Sequence, residues 1–200
     1  MTIKTTLSAL FAMILLAVLP ASARPTTDEF NVDTSKSTVA WTGQNIAGGK
    51  HTGTVGISKG TLVFEGEKLV GGTFTVDVNT IEVTDLAGDR ATRLANHLKN
   101  EDFFDAPKFP DAVFRITKVE GAGDGFSIRG DLTIKGITKS IAFPAVVHHS
   151  GNTVHATAKG VKIDRTQFDI KYRSGNFFSG LGDRAISDEF QLDIEIFAAR

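Results

Sequence analysis

The stretch Phe126-Ser127-Ile128-Arg129-Gly130-Asp131-Leu132-Thr133-Ile134-Lys135 decides the fold. Phe126, Ile128, Gly130, Leu132 and Ile134 alternate without a break against Ser127, Arg129, Asp131, Thr133 and Lys135. Successive side chains of a β-strand point to opposite faces, so this period of two marks a strand with one face buried.

The same period recurs on both sides. Upstream, Val39 and Trp41 share a face, as do His51, Gly53, Val55 and Ile57, then Leu62 and Phe64. Gly72, Phe74, Val76 and Val78 oppose Thr73, Thr75, Asp77 and Asn79, and Ala112, Phe114 and Ile116 oppose Val113, Arg115 and Thr117. Downstream, Ile141 and Phe143 precede Pro144, which suits an edge or a bulge. Val154, Ala156 and Ala158 lead to Val161 and Ile163, and the last run is Ile186, Phe190, Leu192, Ile194 and Ile196. Glycines at Gly48-Gly49, Gly60, Gly66 and Gly71-Gly72 punctuate the runs.

The period changes once. Ala87, Ala91, Leu94, Ala95 and Leu98 recur at three and four, a helical stripe that Asp85 or Asp89 is placed to cap, with Arg93, Asn96 and Lys99 toward water. The stretch Phe103-Phe104-Asp105-Ala106-Pro107-Lys108-Phe109-Pro110 follows. It is irregular and apolar together, as a loop tucked against a hydrophobic opening or under the main body would be. The chain therefore reads as mainly β, an antiparallel barrel of about eight strands with one inserted α-helix, because ring closure buries every apolar face and leaves no edge. Such a barrel is filled by side chains or holds one small ligand.

The N-terminus reads as a secretory signal peptide over residues 1–23. Lys4 precedes an apolar run from Leu7 to Leu19, Pro20 ends it, and Ala21-Ser22-Ala23 fits a cleavage site. The run is about 13 residues against the roughly 20 that a membrane span requires. Residues 24–200 then form one exported domain, in the periplasm where the host has an outer membrane. The chain has no Cys and a formal net charge of -1. Burial alone must hold the fold, and the lack of a basic block argues against nucleic acid as a partner. No later segment is long and apolar enough for an integral span. There are 15 Phe against 1 Tyr and 1 Trp, and Phe has no polar handle. A thick core and an apolar cavity both explain that excess.

Several ordered pieces carry a resemblance: Val39-Ala40-Trp41; His51-Thr52-Gly53 with Lys59-Gly60-Thr61-Leu62; Gly71-Gly72-Thr73-Phe74-Thr75-Val76-Asp77; His97-Leu98-Lys99-Asn100-Glu101-Asp102-Phe103-Phe104-Asp105 with Phe109-Pro110 and Phe114; Gly130-Asp131-Leu132-Thr133-Ile134-Lys135-Gly136-Ile137-Thr138-Lys139; and Ile163-Asp164-Arg165-Thr166-Gln167-Phe168. Together they resemble the YceI-like family of bacterial periplasmic proteins, whose lipocalin-like barrels bind polyisoprenoid chains. Asp169 stands where that family usually has a glycine. The resemblance implies a polyisoprenoid or similar long-chain lipid held in the barrel by a carrier or sequestering protein of the bacterial envelope. It implies neither a cofactor nor a reaction.

Candidate contacts with a lipid tail are the inner-face residues Trp41, Phe74, Val76, Phe114, Phe126, Ile128, Leu132, Ile134, Phe190 and Leu192. Each is equally a candidate for plain core. Phe103, Phe104, Phe109, Phe177 and Phe178 lie in irregular segments suited to a mouth or lid. A strand of about ten residues spans roughly 33 Å, so Ile128 is expected mid-tunnel beside an extended tail, with Ser127 facing solvent.

His51, His97 and Arg165 are the candidate polar mouth. Arg165 suits an anionic head group or an ion pair with Asp164 or Asp169, and His97 is expected to bond backbone. The alternative function is an enzyme using these three on a small apolar or lipid substrate; a filled structural barrel is a third. His148, His149 and His155 lack metal-ligand spacing, since adjacent strand histidines face opposite ways. No nucleophile elbow or phosphate loop is present. The oligomeric state is left open.

Overall fold

The computed structural model describes residues 26–123 and 125–200; the expected signal peptide lies outside them. The strands are β1 (Thr27–Val32), β2 (Thr38–Gln44), β3 (Lys50–Glu65), β4 (Lys68–Val83), β5 (Asp111–Ala122), β6 (Gly125–Ile134), β7 (Ile137–Ser150), β8 (Thr153–Asp164) and β9 (Glu189–Ala199). Helix α1 (Gly88–Lys99) lies between β4 and β5. Every pairing is antiparallel.

Nine strands make an eight-strand barrel because β1 and β2 share one slot. β2 lies between Lys50–Val55 of β3 and Gln191–Glu195 of β9, and β1 continues the slot beside Thr61–Glu65 and Ala198–Ala199. The ring then runs β9, β8, β7, β6, β5, β4 and closes where β4 pairs with β3.

The deciding stretch forms β6 as read. Gly130 sits on its inner face because a Cβ there would overlap the Phe114 ring and the Arg115 carbonyl. The strand ends one residue before Lys135, which with Gly136 takes positive φ (49° and 74°). That is the pair of left-handed positions of a tight hairpin turn. Strict alternation fails elsewhere at bulges. Ile57 and Leu62 both point inward despite opposite parity, since register shifts lie between Thr54 and Gly56 and between Ile57 and Lys59. Between Ala158 and Val161 a similar shift passes through Gly160, at φ +67°.

Pro144 lies where β7 is a local edge, as the sequence suggested. β7 pairs with β8 only from Val146 to Ser150. Across the stretch below, Phe168 and Ile170 pack with Val161 and Ile163 of β8 and with Ile137, Ile141 and Phe143 of β7.

The two ends of the barrel differ. The end with the β3–β4 and β7–β8 turns is solid, packed with Phe30, Leu62, Phe64, Leu69, Ile128 and Ile196. The rings of Phe30 and Phe64 meet edge to face at 5.2 Å, with the His149 ring against both. The other end carries α1 and the long connection from Arg165 to Asp188. This corrects the picture of a tunnel along the full strand. Phe74, Phe114 and Phe126 pack against the closed-end core, and Ile128 is 3% exposed within it.

Ile128→Asp therefore reports on the fold. An unpaired carboxylate in that core costs several kcal/mol, so the variant is expected to unfold the barrel, whereas exposed Ser127→Asp leaves the melting temperature within a degree or two. Circular dichroism melts of both variants check this; a folded Ile128→Asp would show that the closed end is not packed as described.

Candidate functional site

The open end holds a cavity of about 760 Å³, within the usual range of ligand pockets, about 300–1,000 Å³. Its walls are apolar: Trp41 of β2, Val76, Val78 and Ile81 of β4, Leu132 and Ile134 of β6, Phe190 and Leu192 of β9. Its floor is the top of the closed-end core, because Val39, Val55, Val76 and Leu192 belong to both. Trp41 lies flat over Gly53, where any side chain would strike the indole, and its Nε1 donates to the Thr54 carbonyl at 3.3 Å.

Helix α1 roofs one side. None of its residues is fully buried, and Leu94, His97 and Leu98 line the cavity. Its N-cap is Ala87, with no side-chain cap, which corrects the expectation for Asp85 and Asp89. Asp85 is engaged elsewhere. Its carboxylate accepts from the Thr52 N–H at 2.9 Å and lies 2.8 Å from His51 Nδ1, while the Thr84 N–H donates to the Thr52 carbonyl. The segment entering the roof is thus tied to β3. The segment leaving it folds back through N–H bonds from Phe104 to Leu98 and from Ala106 to Lys99. That places Phe103 and Phe104 in the cavity wall. His97 Nε2 lies 2.9 Å from Asp102 Oδ2, not on backbone as expected, and its ring meets Phe103 and Tyr172 edge-on at 5.0 and 4.9 Å.

Arg165 lines the cavity too, yet its donors point into the protein. Nε donates to the Ser187 carbonyl, Nη1 to Ile170 and Nη2 to Ile186, at 2.9, 2.8 and 3.1 Å. Its acidic neighbour is Asp188, 3.5 Å away, rather than Asp164 or Asp169. Asp188 Oδ1 is buried with no hydrogen bond of its own. Burial lowers the Arg165 pKa, opposed by Asp188 and Asp164. Asp164 instead caps the short turn Arg165–Phe168 by accepting from the Thr166 N–H, and Asp169 pairs with Lys171 at 2.7 Å. Asp169 takes φ +61°, the left-handed conformation that favours glycine and that aspartate tolerates.

Eight of the expected tail contacts line the cavity: Trp41, Val76, Phe103, Phe104, Leu132, Ile134, Phe190 and Leu192, together with His51, His97 and Arg165. Phe109 packs beside the Gly136 turn, and Phe177 and Phe178 stand exposed outside the cavity. The reading of the sequence missed Leu94, Leu98 and Ile81, and the polar rim of Lys50, Tyr172, Arg173, Asp183, Arg184 and Glu189. The single tyrosine, inside a glycine-rich segment, was the available signal. His148 stacks on His155, which bonds Glu195 at 2.9 Å, and His149 turns inward.

A model of the YceI-like domain matches residues 30–198. The chain belongs to the YceI-like family. A UPF0312 protein of Yersinia pestis (strain Pestoides F) is 31% identical over 119 residues, 59% of this chain and 60% of its own length. One from Photorhabdus laumondii is 29% identical over 120 residues, 58% and 59% of the two chains. The chain thus spans about three fifths of these curated YceI-like relatives. Among solved structures, Burkholderia cenocepacia BcnA superposes with a TM-score of 0.67 at 24% identity, over 84% of this chain and 99% of its own. A polyisoprenoid binding domain from Saccharophagus degradans gives 0.63 at 10% identity, over 85% and 97%. Both share the fold of this barrel.

Two outcomes follow from the anchors. Arg165→Met strands three carbonyls, that of Ile170 buried and those of Ile186 and Ser187 part-buried, together with the buried Asp188 Oδ1, so urea unfolding is expected to show a loss of about 3 kcal/mol. Arg165→Lys restores part of this, since an ammonium cannot reproduce the planar fork; a loss under about 1 kcal/mol for Met would refute the anchoring role. For Asp85, burial alone would raise the carboxyl, but the Thr52 N–H and the His51 ring outweigh it and hold it below the ordinary 3.8. A depressed folded value gives stability that is present above the ordinary value and is lost as pH falls through the lowered one. Amide exchange at Thr52 and Thr84 should thus stay slow from neutrality to about pH 4 and quicken below it. In Asp85→Asn it should be fast throughout.

Proposed function

We propose that this protein binds a hydrophobic, isoprenoid-like lipid chain in the open half of its barrel, as a carrier or sequestering protein of the bacterial envelope. The observation that carries this reading is the cavity: blind, walled by aliphatic and aromatic side chains, and roofed by a helix with no buried residue of its own. The family and the Saccharophagus domain, described as polyisoprenoid binding, support the ligand class. The reading of residues 1–23 as a signal peptide supports the compartment.

Size limits the cargo. At about 30 Å³ per water-sized group, 760 Å³ holds roughly 25 carbons, or about five isoprene units. A longer tail must fold back or leave its remainder at the mouth. Each buried methylene contributes about 0.8 kcal/mol, of which ordering and association costs leave only a part. The polar residues beside the cavity are engaged in holding the fold. His51 and His97 each face a carboxylate, and Arg165 is spent on backbone carbonyls.

Leu132 tests this reading, because its side chain faces the cavity and is only half-buried. An organic extract of the purified protein is expected to contain a lipid near one equivalent by mass spectrometry. Leu132→Asp should keep the native circular dichroism spectrum and lose that lipid, whereas Leu132→Ala should retain it. A folded Leu132→Asp that still carries a full equivalent, or wild-type protein from its native host without any lipid, would sink the proposal.

A further inference from the structure

Among the described residues four large hydrophobic side chains stand largely in solvent: Ile46 (66%), Phe177 (51%), Phe178 (51%) and Val146 (41%). Three of them lie outside the cavity, in two segments that also contribute to its rim. Ile46 lies in the β2–β3 turn, and Phe177 and Phe178 in the connection from Arg165 to Asp188. The two segments are bonded together. The Ile46 N–H donates to the Ala185 carbonyl at 3.0 Å, the Ile186 N–H to Arg173 at 2.8 Å, and Ile46 Cδ1 lies 3.9 Å from the place of a Cβ on Gly175. The base beneath the two rings is fixed. Ser174 is fully buried, and its carbonyl accepts from the N–H groups of both Phe177 and Phe178.

Charge surrounds this wedge. Lys50, Arg173 and Arg184 line the mouth, and none makes an ion pair among the described residues. Lys171 Nζ stands 5.0 Å over the Phe177 ring. The acids are mostly engaged: Glu189 with Lys162, Asp188 with Arg165, Asp169 with Lys171. Asp183 alone is left against three cations.

We propose that this rim is a docking surface for an anionic lipid bilayer. Ile46, Phe177 and Phe178 enter the boundary between head groups and acyl chains, while Lys50, Arg173 and Arg184 lie among the phosphates. Half-exposed phenylalanines beside a rim of cations match the chemistry of that interface. Docked in this way, the mouth opens onto the membrane, so a tail passes into the cavity without crossing water. That last step rests on the proposed function; the docking does not.

The test is flotation of the exported chain with vesicles of phosphatidylethanolamine and phosphatidylglycerol, and with vesicles of phosphatidylcholine alone. Binding is expected on the anionic vesicles, weakened by salt. Phe177→Ser with Phe178→Ser should reduce it about tenfold or more. Arg173→Gln with Arg184→Gln should reduce it at least tenfold on anionic vesicles only. Val146→Ser, at the closed end, should bind as wild type. Melting curves confirm that each variant is folded. Absence of binding to anionic vesicles, or equal binding by the folded double phenylalanine variant, overturns the proposal. So does self-association without vesicles that the same variant abolishes, since the surface then belongs to a second copy. Lipid content of the purified protein is read separately, so failure of docking and failure of the cargo reading are distinct results.

Discussion

The structure depends on one ladder. β3 and β4, each of 16 residues, pair from Gly53 and Val83 to Glu65 and Lys68 and so turn an open sheet into a ring. Without that contact each strand would show water an apolar face, and two edges would stand open to other chains. With it, the inner faces meet one another. The ladder is also the most irregular in the protein, with three register shifts. Each shift bends the strand, which is how a ring of eight closes over a narrow interior.

Closure fixes where side chains point but not whether they touch. At the closed end, large residues from every side converge and the interior fills. At the open end, the inner side chains do not meet across the ring, and the space is covered by a helix and two long connections instead. The cavity is what remains between a core that has run out of side chains and a roof that does not descend far enough to replace them. Its polar groups follow the same logic. His51 ties the segment entering the roof to β3, His97 ties the helix to the segment that leaves it, and Arg165 holds the neighbouring connection, so the rim keeps its shape through hydrogen bonds made beside the cavity.

Much of this was legible in the residues. Uninterrupted alternation from Phe126 to Ile134 needs no context, because a period of two is a local property of the strand. The interruption by a helical stripe was equally local. The division of inner-face residues was not. Ile128 and Ile134 share one face of one strand, yet the first is closed-end core and the second lines the cavity. The difference comes from what stands opposite, which no window of sequence contains. The same holds for Asp85: a caps-type residue just before a helix reads as its cap, but the His51 ring and the Thr52 N–H arrive from 34 and 33 residues away. Arg165 was visible as a charge among apolar neighbours; that it gathers three carbonyls depends on a connection folding back over it.

The seam between β7 and β8 gives the cavity a mechanical character. Toward the open end these two strands share no hydrogen bonds, and only the side chains of Phe168, Ile170 and their neighbours fill the gap. A sheet resists stretching across its ladders because each step apart breaks a directional bond. A seam of interlocked hydrocarbon yields more gradually, by sliding and changing rotamer. Along this seam the wall of the open half is hydrocarbon packing rather than a ladder. The width of the open half is set there by how those side chains pack rather than by inter-strand bonds.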